Sequence, residues 1–303
     1  MKTMRDAGEF GLIAALARHR PRSRRVLCGI GDDAAVVRPQ PGNASLFTTD
    51  MLIEGVHFLR SQPAAAIGHK AIAASLSDIA AMAGVPEWAL VSLGVPPGLS
   101  LKYVQELYRG MRRTCRTFGV EIIGGDTNRS DKIILAVFVS GRANPRQTVL
   151  RSGARPQDAI LVTGRIGGAA SGGHLRFAPR VAEAQFLIKH AALHAMIDIS
   201  DGLVQDLRHI LTQSNVGAVL HLDRVPLSPA ARSVRAAVTA GEDFELLFTA
   251  AERDAQRLMK MWPFGPEVLL TRIGTITSPQ AGLRIFDARG KAVTFPQEGF
   301  RHF

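Results

Sequence analysis

Cysteine is nearly missing: Cys28 and Cys115 are the whole complement of the 303 residues. Two thiols exclude a disulfide-stapled scaffold and a four-thiolate zinc site. Long apolar runs are missing too. No stretch approaches the roughly 18 residues that a membrane helix needs, and 46% apolar with 21% charged residues describes a soluble globular chain. Residues 10–17 are apolar, but the basic cluster Arg18, Arg20, Arg22, Arg24 and Arg25 comes after them. A secretory leader has the opposite order, so a cytoplasmic protein with free thiols is expected. Acidic residues are in deficit, 26 against 37 basic, for a formal charge of +11. Such a balance raises the question of nucleic acid. The arginines are scattered, however, without interleaved aromatics, zinc-finger spacing or a basic helix. Neither a nucleic-acid nor a membrane partner is expected; attraction to phosphorylated ligands is.

Several catalytic signatures are also wanting. No His-Glu-x-x-His, no Gly-x-Ser-x-Gly elbow and no kinase-type catalytic loop occurs. A Gly-rich stretch runs from Gly164 to Gly173 after a strand-like segment. It lacks the Gly-Lys-Ser/Thr of a P-loop, and its glycine spacing does not fit the dinucleotide fingerprint.

What is there reads as two mixed α/β domains. Residues 34–37 and 45–49 are strand-like. Residues 64–83 carry Ile67, Ala71, Leu76, Ile79 and Met82 near helical spacing. The clearest helix covers 101–118. Ser100 is its candidate N-cap, Gly119 its stop, and Val104, Leu107, Tyr108, Met111, Cys115 and Phe118 form one apolar stripe. Cys115 on that stripe is a packing residue. A strand is expected over 133–140, and the polar stretch 142–157 marks a boundary between domains 1–148 and 149–303. Beyond it the pattern gives a strand at 159–163 and a helix at 181–195. A second helix starts at Gly202, with Asp201 as N-cap. Strand 244–249, helix 251–262 and a hairpin over 283–295 follow.

The informative feature is where the aspartates fall. They sit in apolar or Gly-rich contexts at segment ends: Gly31-Asp32-Asp33, Thr48-Thr49-Asp50, Ser77-Asp78, Gly124-Gly125-Asp126-Thr127, Asp198-Ile199-Ser200-Asp201-Gly202 and Gly241-Glu242-Asp243. Burying unpaired carboxylates is costly and adjacent ones repel. A hard divalent cation relieves both penalties by taking oxygen ligands from several Asp, Ser and Thr groups. Each motif alone also suits an ordinary turn; six in a net-basic chain point to a metal site built from distant loops. Spacing alone does not say which chemistry the metals serve.

At these residues the sequence resembles thiamine-monophosphate kinase, in the superfamily of aminoimidazole ribonucleotide synthetase. The similarity runs from Gly8-Glu9-Phe10 to the C-terminal Phe303, through GIGDDAAVV, TTDMLIEGVHF, SLSDIAAMAG, IIGGDT, RSGARPQD, IDISDGL and GEDFELLF. The resemblance implies an N-terminal α/β domain whose strands form a barrel across a dimer, and a C-terminal α/β domain covering the cleft. It implies direct transfer of the ATP γ-phosphoryl group onto thiamine monophosphate with Mg²⁺. By the same resemblance Asp33, Thr48, Thr49, Asp50, Asp78, Asp126, Asp198 and Asp201 are the metal ligands. Gly125, Asp126, Arg151 and Ser200 lie against ATP, and Asp50, Asp78, Asp126 and Arg151 carry the catalysis. His57 and Glu242 contact the thiamine phosphate. Relatives usually carry a longer segment with an Arg-Pro-x-Pro-Arg pattern before Ile197, which reads as absent here. They also carry a thiamine-stacking aromatic near the C-terminus, where this chain has Gln297, with Phe300 as a shifted substitute. Two alternatives remain: a related ATP-using enzyme with another acceptor, and a non-catalytic paralogue that binds nucleotide or thiamine phosphates.

Overall fold

A ten-residue strand, β3 (Ala44–Ile53), sets the geometry of the first half, because its side chains alternate between a covered and an open face. It stands in a computed structural model that describes residues 23, 25–28, 36–37, 39–295 and 299–300. A short pair, β1 (Val26–Cys28) and β2 (Val36–Val37), precedes it. Then come helix α1 (Ala64–Ala81), β4 (Val85–Val95), helix α2 (Leu101–Phe118), β5 (Glu121–Arg129) and β6 (Ile134–Ala143). The sheet order is β3-β6-β4-β5, with only β4 and β5 parallel. This sheet is open: among the described residues its edges β3 and β5 pair with no further strand.

Helix α2 is made as its sequence dictates. Ser100 Oγ accepts the Tyr103 N–H, Gly119 closes the helix at φ 69°, and Val104, Leu107, Tyr108, Met111 and Cys115 are buried. Such a cap is worth about 1 kcal/mol. Burial pushes the Cys115 thiol up to about 12, so it packs and does not react. Helix α1 is Ala-rich and buried almost all round. The two helices touch at backbone level: a Cβ on Gly68 would lie 2.0 Å from the Leu107 carbonyl oxygen, and one on Gly110 would lie 1.9 Å from that of Ala65.

The second unit comprises Ala80–Gly84 and Arg146–Phe303, the first Met1–Ile79 and Val85–Pro145. Its elements are β7 (Ala159–Thr163), α3 (Val181–His190), β8 (Leu193–Asp198), α4 (Leu203–Ser214), β9 (Gly217–His221), α5 (Val234–Thr239), β10 (Leu246–Ala250), α6 (Glu252–Met261), β11 (Leu270–Thr277), β12 (Leu283–Phe286) and β13 (Ala292–Val293). The sheet runs β13-β12-β9-β11-β7-β10-β8 and is antiparallel except for β12 against β9. Strands β7 and β10 are buried throughout, so apolar residues fill both of their faces. Ile160, Val162 and Leu247 join one core with α4 and α5. Ala159, Leu161, Leu246 and Phe248 join another with α3, α6 and Ala80, Ala81 and Ala83.

Two expectations need correction here. The helix foreseen over 181–195 stops at His190, and Leu193–Asp198 is an edge strand paired with β10. Burial of Ala195, Met196 and Ile197 against the sheet overrides the helix propensity of the alanines. The strand foreseen from 244 begins at Leu246, because Glu242 and Phe244 hold left-handed backbone (φ 70° and 52°). Among the described residues, no helix is long and apolar enough to cross a membrane.

Candidate active site

Period-two alternation puts Thr48 and Asp50 on the helix-covered face of β3, and helical spacing puts Ser75 and Asp78 on one side of α1. The four side chains interlock. Thr48 Oγ1 donates to Asp78 Oδ2 at 2.5 Å, and Ser75 Oγ donates to Asp50 Oδ2 at 2.6 Å. Burial raises the Asp50 pKa, opposed by the Ser75 bond and by His57 nearby. His57 is fixed by its own turn: Nδ1 accepts the Ile53 N–H at 3.1 Å, and its carbonyl accepts from the buried Lys70 Nζ at 2.7 Å. The proton of the neutral ring therefore sits on Nε2. Ser75 and Lys70 were missed from sequence; a hydroxyl three residues before Asp78 on a helix was the available signal for Ser75.

The other residues of this half stand apart from that cluster. Thr49 is in register with Phe138 on the open face. Asp126 is in one row with Ser92, Ala136 and Met51, whereas Asp50 is in the next row with Val137, Val91 and Gly125. Asp126 is thus on the opposite face from Asp50 and three strand spacings away, about 14 Å. Gly125 is compelled by close approach: at φ 154° a Cβ there would lie 2.0 Å from the Val91 oxygen. Asp33 and Gln297 lie outside the described residues.

In the second unit the turn after β8 gathers Asp198, Ser200 and Asp201. Ser200 O accepts the Glu242 N–H at 2.8 Å, and Asp201 O accepts the Phe300 N–H at 2.9 Å. Phe300 is 44% exposed. Asp201 was expected to cap α4, but Gly202 is the cap position and Asp206 does the work from inside the helix. Its Oδ2 accepts the N–H groups of Asp201 and Gly202, both at 3.0 Å. Asp201, Asp206 and His209 present ligand atoms within 4.8 Å of one another. Arg151 is exposed, and its carbonyl accepts from Ser214 Oγ at 3.2 Å. That is the far end of α4 from Ser200, about 18 Å along a 12-residue helix.

The Gly-rich loop does not offer its amides to a ligand. Gly167 and Gly168 donate to the Asp243 carboxylate at 2.9–3.0 Å, so the donors a phosphate cradle would use are taken. The Arg-Pro-x-Pro-Arg pattern is also partly present after all. Arg176-Phe177-Ala178-Pro179-Arg180 precedes α3, and Arg180 Nε donates to Glu245 Oε2 at 2.6 Å. It lies between the Gly-rich loop and α3.

Both halves match known families. Residues 31–143 match the AIR synthase related protein N-terminal domain, and 168–283 its C-terminal domain. The fold and the acid-bearing strand ends thus define a two-domain protein of the AIR synthase related class. Within that class the chain belongs to the thiamine-monophosphate kinase family. The kinase of Rhodopirellula baltica is 37% identical over 95% of this chain and 96% of its own, and that of Aquifex aeolicus 33% over 99% of each. A crystal structure of the Stenotrophomonas maltophilia kinase has a TM-score of 0.81 at 33% identity, covering 93% of this chain and 95% of that one. The structure of AaThiL complexed with AMPPCP and TMP has a TM-score of 0.75 at 33% identity, covering 100% and 99%. Hydrogenase maturation protein HypE of Escherichia coli, 20% identical with a TM-score of 0.77, shares the fold.

Proposed function

We propose that this chain transfers the γ-phosphoryl group of ATP directly to thiamine monophosphate, giving thiamine diphosphate and ADP, in the cytoplasm and as a homodimer. End-to-end likeness to AaThiL complexed with AMPPCP and TMP carries this reading. The donor set supports Mg²⁺: Thr48, Asp50, Ser75 and Asp78 offer only hard oxygens, and burial already disfavours the charge of Asp50. Asp33, Thr49 and Asp126 extend the proposed set in the first domain (1–148), and Asp198 and Asp201 in the second (149–303).

Phosphoryl transfer asks little covalent chemistry of a protein; it asks for in-line placement and charge neutralisation. Bound Mg²⁺ supplies neutralisation of the phosphate charge and a template for the two substrates. Asp50 and Asp78 hold it, with Ser75 and Thr48 fixing their orientation. Gly125 lets the backbone approach ATP beside Asp126, and Ser200 and Arg151 meet the same nucleotide, Arg151 countering phosphate charge. His57, Glu242 and Phe300 meet the acceptor. No side chain serves as nucleophile, and a phosphoenzyme trapped in turnover would contradict this.

The homodimer has its own support. The open face of the first sheet carries Phe47 and Met51, 68% and 55% exposed, with Phe138 stacked on Phe47, and among the described residues neither sheet edge pairs with a further strand. Joining β3 of one copy to β5 of the other, twice over, closes an eight-stranded barrel. In that barrel β5 of a second copy lies one strand spacing from β3, where β5 of the same chain lies three away, while Asp126 and Asp50 keep opposite faces of the sheet. The test is turnover of ATP with Mg²⁺ and thiamine monophosphate, following thiamine diphosphate by chromatography. Asp50→Asn and Asp126→Asn should each abolish product. Unfolded together and refolded as mixed dimers they should regain about a quarter of wild-type activity, since half the dimers are mixed and each has one intact site. No recovery would place both aspartates in one chain's site.

A further inference from the structure

Glu242, Asp243, Phe244 and Glu245 are consecutive, and every one of their side chains meets the segment between β7 and α3. Glu242 Oε2 lies 3.3 Å from His174 Nδ1. Asp243 takes the amides of Gly167 and Gly168. Phe244 stacks on Phe177, with 4.0 Å between ring centroids and 13° between planes. Glu245 accepts from Thr163 Oγ1 at 2.7 Å and from Arg180. Left-handed backbone at Glu242 and Phe244 is a strained choice for residues with a Cβ, and it persists only where the surroundings over-determine it.

Three of the four contacts are explained by the fold, since Asp243, Phe244 and Glu245 are buried. Glu242 is different. Its side chain is 33% exposed while that of His174 is 15% exposed, and a pair so near the surface adds little to stability. The His174 ring is itself carried on a short turn, Gly173–Leu175, at the end of the loop that Asp243 holds and just before the Phe177 stack. The imidazole carried on this turn thus faces a carboxylate whose burial does not require it.

We propose that His174 is a positioning residue for the acceptor: by holding Oε2 of Glu242 it presents the rest of that carboxylate in one orientation and sets acceptor affinity. This rests on the reading of Glu242 as a contact to the thiamine phosphate. A pre-oriented carboxylate has less freedom to lose on binding, so the effect belongs in the acceptor KM and not in kcat.

Steady-state kinetics with Mg-ATP and thiamine monophosphate test it through three variants. His174→Phe keeps the ring volume and removes the donor; it should raise the acceptor KM about five- to tenfold while kcat and the ATP KM move less than about twofold. His174→Asn places an N–H near the Nδ1 position and should restore the acceptor KM to within about twofold of wild type. In a Glu242→Gln background, His174→Phe should add little. An unchanged acceptor KM in His174→Phe overturns the proposal, as does a change shared equally by kcat and the ATP KM. An unchanged acceptor KM in Glu242→Gln overturns it through Glu242 while the reaction stands. A wild-type protein making no thiamine diphosphate overturns the reaction itself, and the role of His174 with it.

Discussion

Asp243 keeps a carboxylate under the Gly-rich loop, where burial pushes its pKa up to about 6 despite the amides of Gly167 and Gly168. That sets the sign of a pH effect. Below about pH 4 the native and unfolded carboxyls are both protonated, and the contribution of this group to stability is fully present. Between about 4 and 6 the native state still holds a proton that the unfolded chain has released, so stability falls as pH rises and the contribution is gone above the native pKa. Urea midpoints of wild type and Asp243→Asn should therefore diverge from pH 4 to pH 7. Wild type should lose on the order of 3 kcal/mol relative to the variant. A constant difference across that range would mean the carboxylate titrates normally.

Helix α2 was legible from end to end because every signal in it is local: the Ser100 cap, the apolar stripe and the Gly119 stop. What α2 packs on was not. Gly68 and Gly110 let two helix backbones touch, and a side chain at either would meet a carbonyl that cannot rotate aside. Gly68→Ala and Gly110→Ala should each cost about 3 kcal/mol, at the upper end of overpacking penalties. The double variant should cost less than the sum, since the first substitution already parts the helices. Stability within about 0.5 kcal/mol of wild type for Gly68→Ala would refute the close crossing. Strand β5 is hard to read because its Gly-Gly-Asp-Thr-Asn stretch has turn composition, β4 and β11 because proline or glycine interrupts them, and β9 because it is short and mostly buried. The end of α3 depends on a distant partner: pairing of the segment that follows it with β10, about 50 residues on in sequence, decides it. At the candidate site the motifs point to Asp50 and Asp78, whereas the hydroxyl partners that they have in the structure depend on register. The split of Asp126 from Asp50 could only come from counting strands.

At the scale of the molecule, the exposed Phe47 and Met51 make assembly testable without touching the acidic cluster. Phe47→Asp with Met51→Lys should convert a dimer to a monomer in light scattering. Product formation should fall at least about 100-fold if Asp126 must come from a second copy. A fully active monomer would exclude the shared site.

The chain also threads its two units in a way that bears on how the gene can be divided. The last turn of α1 leaves the first unit, and Ala80, Ala81 and Ala83 lie in the core formed by β7, α3 and α6. A polypeptide starting at residue 146 would lack those three alanines and fold, if at all, around a hole. One ending at residue 145 would carry them with nothing to cover them. Cleavage near residue 145 breaks only one of the strands of chain that run between the units, and leaves both pieces held through residues 80–84. During synthesis the same turn is made long before β10 emerges to complete its surroundings. The boundary that looks so plain in the sequence is therefore a poor place to cut.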